Sequence, residues 1–219
     1  MKYTHLIITK VNVKWYPQAQ DAVWVKNRHD ILNNVLRPSL EAQTNKNFKF
    51  ITLWGSEPKD PIECEYPIII DSEGGGNILR EAIEKSMEFV DDDHILTTRV
   101  DSDNALGENF VETIQDNITE NVPFYYDVID MHYFDSKRNE RSIWKIPPHY
   151  GTSAFISVME RKGGYECIPY RGGHQRIGNQ IKGIKLDLDC LVTIHGENIL
   201  QEKIKGSNRK IQLNKFNIK

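Results

Sequence analysis

Cysteine is scarce in this chain: Cys64, Cys167 and Cys190 are widely spaced, with no Cys-x-x-Cys among them. That excludes a disulfide framework or a zinc ribbon and leaves reduced, buried thiols as the expectation. No apolar run approaches the roughly 20 residues needed to span a bilayer. Met1 to Val13 has neither a long apolar core nor a small-residue cleavage site, so no secretory signal is expected. The expectation is a soluble, cytoplasmic protein with no transmembrane segment. An excess of positive charge is missing too: 28 Lys and Arg face 31 Asp and Glu, for a net charge of −3. Nothing there suggests a general nucleic-acid binder. The run Gly74-Gly75-Gly76 lacks the Gly-x-Gly-x-x-Gly spacing of a dinucleotide fingerprint and does not match a P-loop. What is present is 219 residues, 39% of them hydrophobic, enough for a substantial core.

The first half alternates strands and helices. Leu6 to Thr9, Phe48 to Trp54 and Ile68 to Asp71 read as short strands. Between the first two, Asn27 precedes a helical face of Ile31, Leu32, Val35 and Leu36, followed by Leu40. Pro38 is expected to kink that helix or start a second one. After the glycine run, Asn77 reads as a helix N-cap, with Ile78, Ala82, Ile83, Met87 and Val90 forming the apolar face. Asp91-Asp92-Asp93 opposes the helix dipole there and belongs in a solvated turn. Such alternation predicts an α/β fold built on a mainly parallel sheet flanked by helices.

The chain turns on the stretch His94 to Leu106. Ile95 to Val100 reads as a buried strand, and it ends in Asp101 and Asp103 with only Ser102 between them. In an extended chain residues i and i+2 share a face, with Cα atoms roughly 6 to 7 Å apart. Two such carboxylates suit one hard cation, Mn²⁺ or Mg²⁺, with positions left open for a diphosphate. In open α/β sheets ligands bind beyond the carboxyl ends of the strands, which is where this pair falls. Arg99 has the strand parity of Asp101 and is expected to pair with it or to contact a donor.

Two stretches carry a family resemblance. Arg37-Pro38-Ser39-Leu40-Glu41-Ala42-Gln43-Thr44 followed by Phe48 resembles the early segment of GT-A glycosyltransferases. Thr98-Arg99-Val100-Asp101-Ser102-Asp103-Asn104-Ala105-Leu106 resembles more narrowly the "Thr-Arg-x-Asp-x-Asp-Asp-Ala-Leu" block of a rhamnosyltransferase family, with Asn104 in place of the last aspartate. His195-Gly196-Glu197-Asn198 is similar to that family's terminal "His-Gly-x-Asn". Trp54-Gly55-Ser56 lacks the acidic residues many relatives use near the nucleotide base, which leaves the base open. The resemblance implies a GT-A, Rossmann-like mixed sheet over a single domain, 1–219. Residues 1–106 would bind the nucleotide sugar, and 107–219 would form the acceptor side with a C-terminal tail. It also implies that Asn77, Arg80, Arg99, Asp101 and Asn198 line the donor and that His195 joins Asp101 and Asp103 at the metal.

In the second half, Pro123 to Tyr133 and Ser142 to Ile146 read as strands of a hairpin around the turn Asp135 to Glu140, and Thr152 to Met159 as another strand. Tyr125, Tyr126, Tyr133, Trp144 and Tyr150 are available either to stack on sugar rings or to pack the sheet. His174 follows two glycines and precedes a short helix, Gln175 to Ile181. Inverting relatives place an acidic base at such a helix start. Here His174 is the candidate base, or else a contact to acceptor or phosphate. Leu191 to Ile194 reads as the strand that delivers His195. The basic tail from Lys203 to Lys219 is expected to pack on the sheet edge or meet a partner chain, with peripheral contact to anionic lipid as a third option. The leading functional expectation is a metal-dependent transfer of a sugar from a nucleotide-sugar donor to a glycan or other hydroxyl acceptor. A nucleotidyltransferase and a non-catalytic nucleotide-sugar-binding module are the alternatives.

Overall fold

The computed structural model describes residues 1–14, 17–137, 139–146, 151–163, 174–195 and 216. Strand β1 (Thr4–Lys10) leads through a 3₁₀ turn (Pro17–Gln20) to helix α1 (Ala22–Ile31). A π-helical turn (Leu32–Leu36) and α2 (Arg37–Glu41) continue it. Then come β2 (Lys49–Trp54), β3 (Glu65–Ile69), α3 (Gly75–Met87), β4 (His94–Arg99), β5 (Asn104–Leu106) and α4 (Phe110–Asp116). The second half adds β6 (Phe124–Val128), β7 (Asp130–Asp135), β8 (Glu140–Lys145), β9 (Ser157–Arg161), a 3₁₀ turn (His174–Asn179), β10 (Lys182–Leu186) and β11 (Cys190–Ile194). Among the described residues no helix is long and apolar enough to cross a membrane.

Seven strands form one sheet in the order β10-β6-β9-β4-β1-β2-β3, and a smaller sheet runs β5-β11-β7-β8. Among the described strands of the large sheet only β9 is antiparallel, inserted between β4 and β6. The mixed, mainly parallel sheet expected from the alternating pattern is therefore the observed architecture. Period-2 alternation divides its core. Ile7, Phe50, Leu96 and Val100 pack on the side of the π-helical turn and α2, with Leu32, Leu36 and Leu40. Leu6, Ile8, Ile51, Leu53 and Ile95 pack on the opposite side, under Ile78 and Ala82 of α3.

Several boundaries differ from the sequence reading. The first helix begins at Asp21, whose carboxylate accepts the Trp24 N–H at 2.8 Å, so Asn27 lies inside it. Its first turn faces solvent, with Val23 69% exposed, and so carries no apolar period to announce it. Pro38 sits in the first turn of α2, directly after the π turn, where its missing N–H is tolerated. Strand β3 ends before Asp71 because Glu81 of α3 captures the Asp71 and Ser72 N–H groups. The N-cap of α3 is Gly74, at φ +78°, and Asn77 instead donates its amide to the Glu73 carbonyl. Pro123 to Tyr133 is two strands in two different sheets. Ile129 bridges them, donating to Leu186 of one sheet while accepting from Ile146, just past the end of β8. Strand β9 starts only at Ser157 because Ser153 turns back to bond Asp127. Strand β10 was not legible, since Gly183 interrupts it. The hairpin of β7 and β8 is formed as expected. Of the basic tail, Phe216 is described: it is fully buried against Val35, Ala105 and Leu191, with its ring 5.8 Å from that of His132.

Candidate active site

The site lies where β1 and β4 end. Ile8 stands level with Arg99 in their parallel register, and Lys10 closes β1 two residues further on. The ladder runs one step further through Val100 N–H to the Ile8 carbonyl at 3.2 Å. There the chain turns. Asn104 N–H donates to the Asp101 carbonyl at 3.0 Å, closing a four-residue turn that sends the chain into β5 of the second sheet. The extended geometry expected for Asp101-Ser102-Asp103 is thus replaced by a turn, as suits four turn-prone residues in a row.

The turn gives each aspartate its own surroundings. Asp101 meets the Arg99 guanidinium at 3.3 Å, as strand parity predicts, and Lys10 contributes a second positive charge beside it. Burial holds the Lys10 pKa below its usual value; Asp101 pulls it up and Arg99 pushes it down. Asp103 faces α1, where Arg28 reaches its carboxylate at 3.2 Å and donates to the Ser102 hydroxyl at 2.5 Å. From the other side His195 Nε2 approaches the same Asp103 oxygen, Oδ2, at 3.1 Å. The antiparallel pairing of β11 with β5 delivers His195, and the Thr193 hydroxyl fastens the turn by donating to the Asp103 carbonyl.

Of the expected site residues, the structure brings Asp103 to His195 and Asp101 to Arg99. Among the described residues no group of three or more His, Cys, Asp or Glu side chains is placed to hold a metal ion. Asn77 and Arg80 are exposed on α3, and the structure gives no contact of either with the two aspartates. His174 opens the 3₁₀ turn, but the expectation for its imidazole lies outside the described residues, as do those for Asn198 and Tyr150. Tyr126 is fully buried, and its hydroxyl accepts the Thr119 N–H at 2.9 Å, so it packs the core instead of facing an acceptor. Tyr133 and Trp144 pack edge-on across the hairpin, centroids 6.4 Å apart.

Arg28, Lys10, Ser102 and Thr193 belong to the site and were not singled out from sequence. Lys10 had a signal, a cation closing an apolar strand; Arg28 had none, lying mid-helix. A separate buried pair braces the loop between β2 and β3, where Arg37 also donates to the Lys59 carbonyl at 3.2 Å. Arg37 grips Glu65 through Nε and Nη2, both at 2.8 Å, and Thr52 donates to the same carboxylate at 2.8 Å.

A family model described as "Putative rhamnosyl transferase" matches residues 18–206. No curated protein matches the chain. Among solved structures, the chain resembles the "putative nucleotide-diphospho-sugar transferase" from Desulfovibrio desulfuricans G20 at 8% identity and TM-score 0.42, over 87% of this chain and 80% of that one. It also resembles S. aureus TarS at 12% identity and TM-score 0.48, over 87% of this chain and 37% of that one.

Proposed function

The chain belongs to the rhamnosyl transferase family that residues 18–206 match, and on that premise we propose that it moves a sugar from a nucleotide-diphosphate donor to a hydroxyl acceptor with a divalent cation at the aspartate turn. Rhamnose is the sugar the family description names, and a glycan hydroxyl is the acceptor we favour. The observation that carries the proposal is the turn itself: two carboxylates at the carboxyl end of a central strand, enclosed by Lys10, Arg28, Arg99 and His195.

The donor set fits a hard cation, since carboxylate oxygens and a neutral imidazole suit Mn²⁺ or Mg²⁺. Asp101 is the more open ligand, its side chain 37% exposed, whereas Asp103 Oδ2 already meets Arg28 and His195. Asp101 and Asp103 would hold the cation. His195 would join them only by giving up its contact with Asp103 through Nε2 or by using Nδ1. When bound, the cation neutralises charge on the departing diphosphate. The protein's own part is positioning: Arg28 and Thr193 fix the turn, Arg99 orients Asp101, and His174 is proposed to take the acceptor proton.

The test is turnover of a nucleotide-sugar panel with and without Mn²⁺, using wild type, Asp103→Asn and His174→Ala. Release of nucleoside diphosphate that Asp103→Asn abolishes supports the reading. His174→Ala should cut transfer far more than donor hydrolysis, because water needs less positioning than a sugar. Pyrophosphate among the products would indicate a nucleotidyltransferase instead, and tight binding without turnover a binding module.

A further inference from the structure

Phe216, in the basic tail, has no exposed surface and shares a buried cluster with Val35, Ala105 and Leu191. Each of those three lies on an element that delivers one side chain to the aspartate turn. Val35 is in the π-helical turn that continues α1, the helix carrying Arg28. Ala105 is at the centre of β5, two residues past Asp103. Leu191 is on β11, the strand that ends beside His195, and it stands level with Ala105 in the antiparallel register. Among the described strands β5 lies at the end of its sheet, so β11 pairs it on one side alone. A strand of three residues gains little from such pairing and depends on side-chain packing. By the period of two, Leu106 joins the main core while Ala105 faces the Phe216 cluster. Alanine leaves room there, and close packing requires a large ring to fill it. The Phe216 ring also lies 5.8 Å from that of His132, whose Nε2 meets Asp189 Oδ1 at 3.1 Å. The Asp189 carbonyl accepts the Gly107 N–H at 2.8 Å, just past the far end of β5. Phe216 is therefore connected to both ends of the short strand.

We propose that Phe216 is a positioning residue for the aspartate turn: its ring is the packing piece through which the α1 segment, β5 and β11 keep Arg28, Asp103 and His195 together. The inference rests on the nucleotide-sugar reading above for its effect on turnover, and on packing alone for its effect on the turn. Truncating the ring leaves a cavity beside Ala105 that the neighbouring elements fill only in part. β5 is then free to shift, and Asp103 moves with it. Its contacts with Arg28, His195 and the Thr193 hydroxyl loosen together. A displacement of about 1 Å at groups that position a reacting ligand costs about 10²-fold in rate.

The experiment compares amide hydrogen exchange and donor turnover in the full chain as wild type, Phe216→Leu and Phe216→Ala. The Asn104 N–H, bonded to the Asp101 carbonyl at 3.0 Å, reports on the turn; the Val11 N–H, bonded to the Leu53 carbonyl at 2.9 Å, reports on the large sheet. In Phe216→Ala, exchange at Asn104 should accelerate by about 10- to 100-fold more than at Val11, because the opening is local. Phe216→Leu, which fills part of the space, should show the same order at about threefold. With a nucleotide-sugar panel and Mn²⁺, kcat for nucleoside diphosphate release should fall by about 10- to 100-fold in Phe216→Ala and by about threefold or less in Phe216→Leu. Equal acceleration at the two amides overturns the inference, since Phe216 then supports the whole fold and not the turn. Unchanged exchange overturns it too, as does selective exchange with undiminished turnover. If wild type releases no nucleoside diphosphate from any donor, the nucleotide-sugar reading fails, and exchange alone decides whether Phe216 holds the turn. Should Phe216→Ala not fold, Phe216→Leu carries the same comparison, and equal acceleration in it overturns the inference.

Discussion

Arg28→Met is the perturbation that most directly probes how the aspartate turn is held. It keeps an unbranched stem of similar length and removes the guanidinium that contacts Asp103 at 3.2 Å and Ser102 at 2.5 Å. Exposed ion pairs contribute about 1 kcal/mol or less, whereas breaking a buried one costs about 3 to 5 kcal/mol because a charge is left behind. Both side chains here are 11% exposed, which places the pair with the buried class. His195 still contacts Asp103 after the substitution, so the lower end applies, about 3 kcal/mol. With a urea dependence of about 3 kcal/mol per molar for a chain of this length, the unfolding midpoint should fall by about 1 M. Asp103→Asn and the double variant complete a thermodynamic cycle. If the pair is coupled as the geometry indicates, the double variant loses less than the two single losses combined, by about 2 kcal/mol. A midpoint shift below about 0.3 M for Arg28→Met, or strictly additive losses, would refute the assignment of a buried pair.

Three further outcomes are expected. His5 is buried, with Nε2 at 2.8 Å from the Thr98 hydroxyl and Nδ1 at 3.0 Å from the Gln115 amide nitrogen, and burial lowers its pKa from 6.5 to about 3. The unfolded chain then binds the extra proton first, so stability is complete above about pH 6.5 and is lost as pH falls towards 3, by up to about 5 kcal/mol. Denaturant unfolding across that window should show His5→Gln with a flatter pH dependence than wild type; identical slopes would contradict a neutral, buried imidazole. At Gly183 an added Cβ would lie 2.3 Å from the Tyr125 ring and 2.4 Å from its carbonyl oxygen, so Gly183→Ala should lower stability by about 1 to 3 kcal/mol. Gly76→Ala, in open space within α3, should instead raise it by up to about 1 kcal/mol, and thermal melts that reversed this order would show that the Tyr125 contact does not constrain β10.

How much of this was legible beforehand follows from which forces act locally. Strands such as Leu6 to Thr9 and Ile95 to Val100 were readable because burial on two faces demands a continuous apolar run, whatever the partners. The break at Ile129 was not, because no glycine or proline marks it. It arises from two competing sheets, with Ile129 bonded to Leu186 in one direction and to Ile146 in the other. The turn at Asp101 was readable in principle, since Asp-Ser-Asp-Asn is turn chemistry, but the apolar run before it invited an extended continuation. That difference matters for the chemistry. In the turn, Asp101 stands beside Arg99 and Asp103 between Arg28 and His195, so each carboxylate has its own charged partners. The motif resemblance had already set His195 with Asp103 across 92 residues, but nothing in the sequence paired Arg28 with it, 75 residues away. What joins them is the pairing of β5 with β11 and the packing of α1 against the turn, both products of the whole fold. The aspartates, Arg99 and His195 can therefore be found by motif and strand parity, but Arg28, which holds Asp103 from the other side, is set by tertiary structure alone.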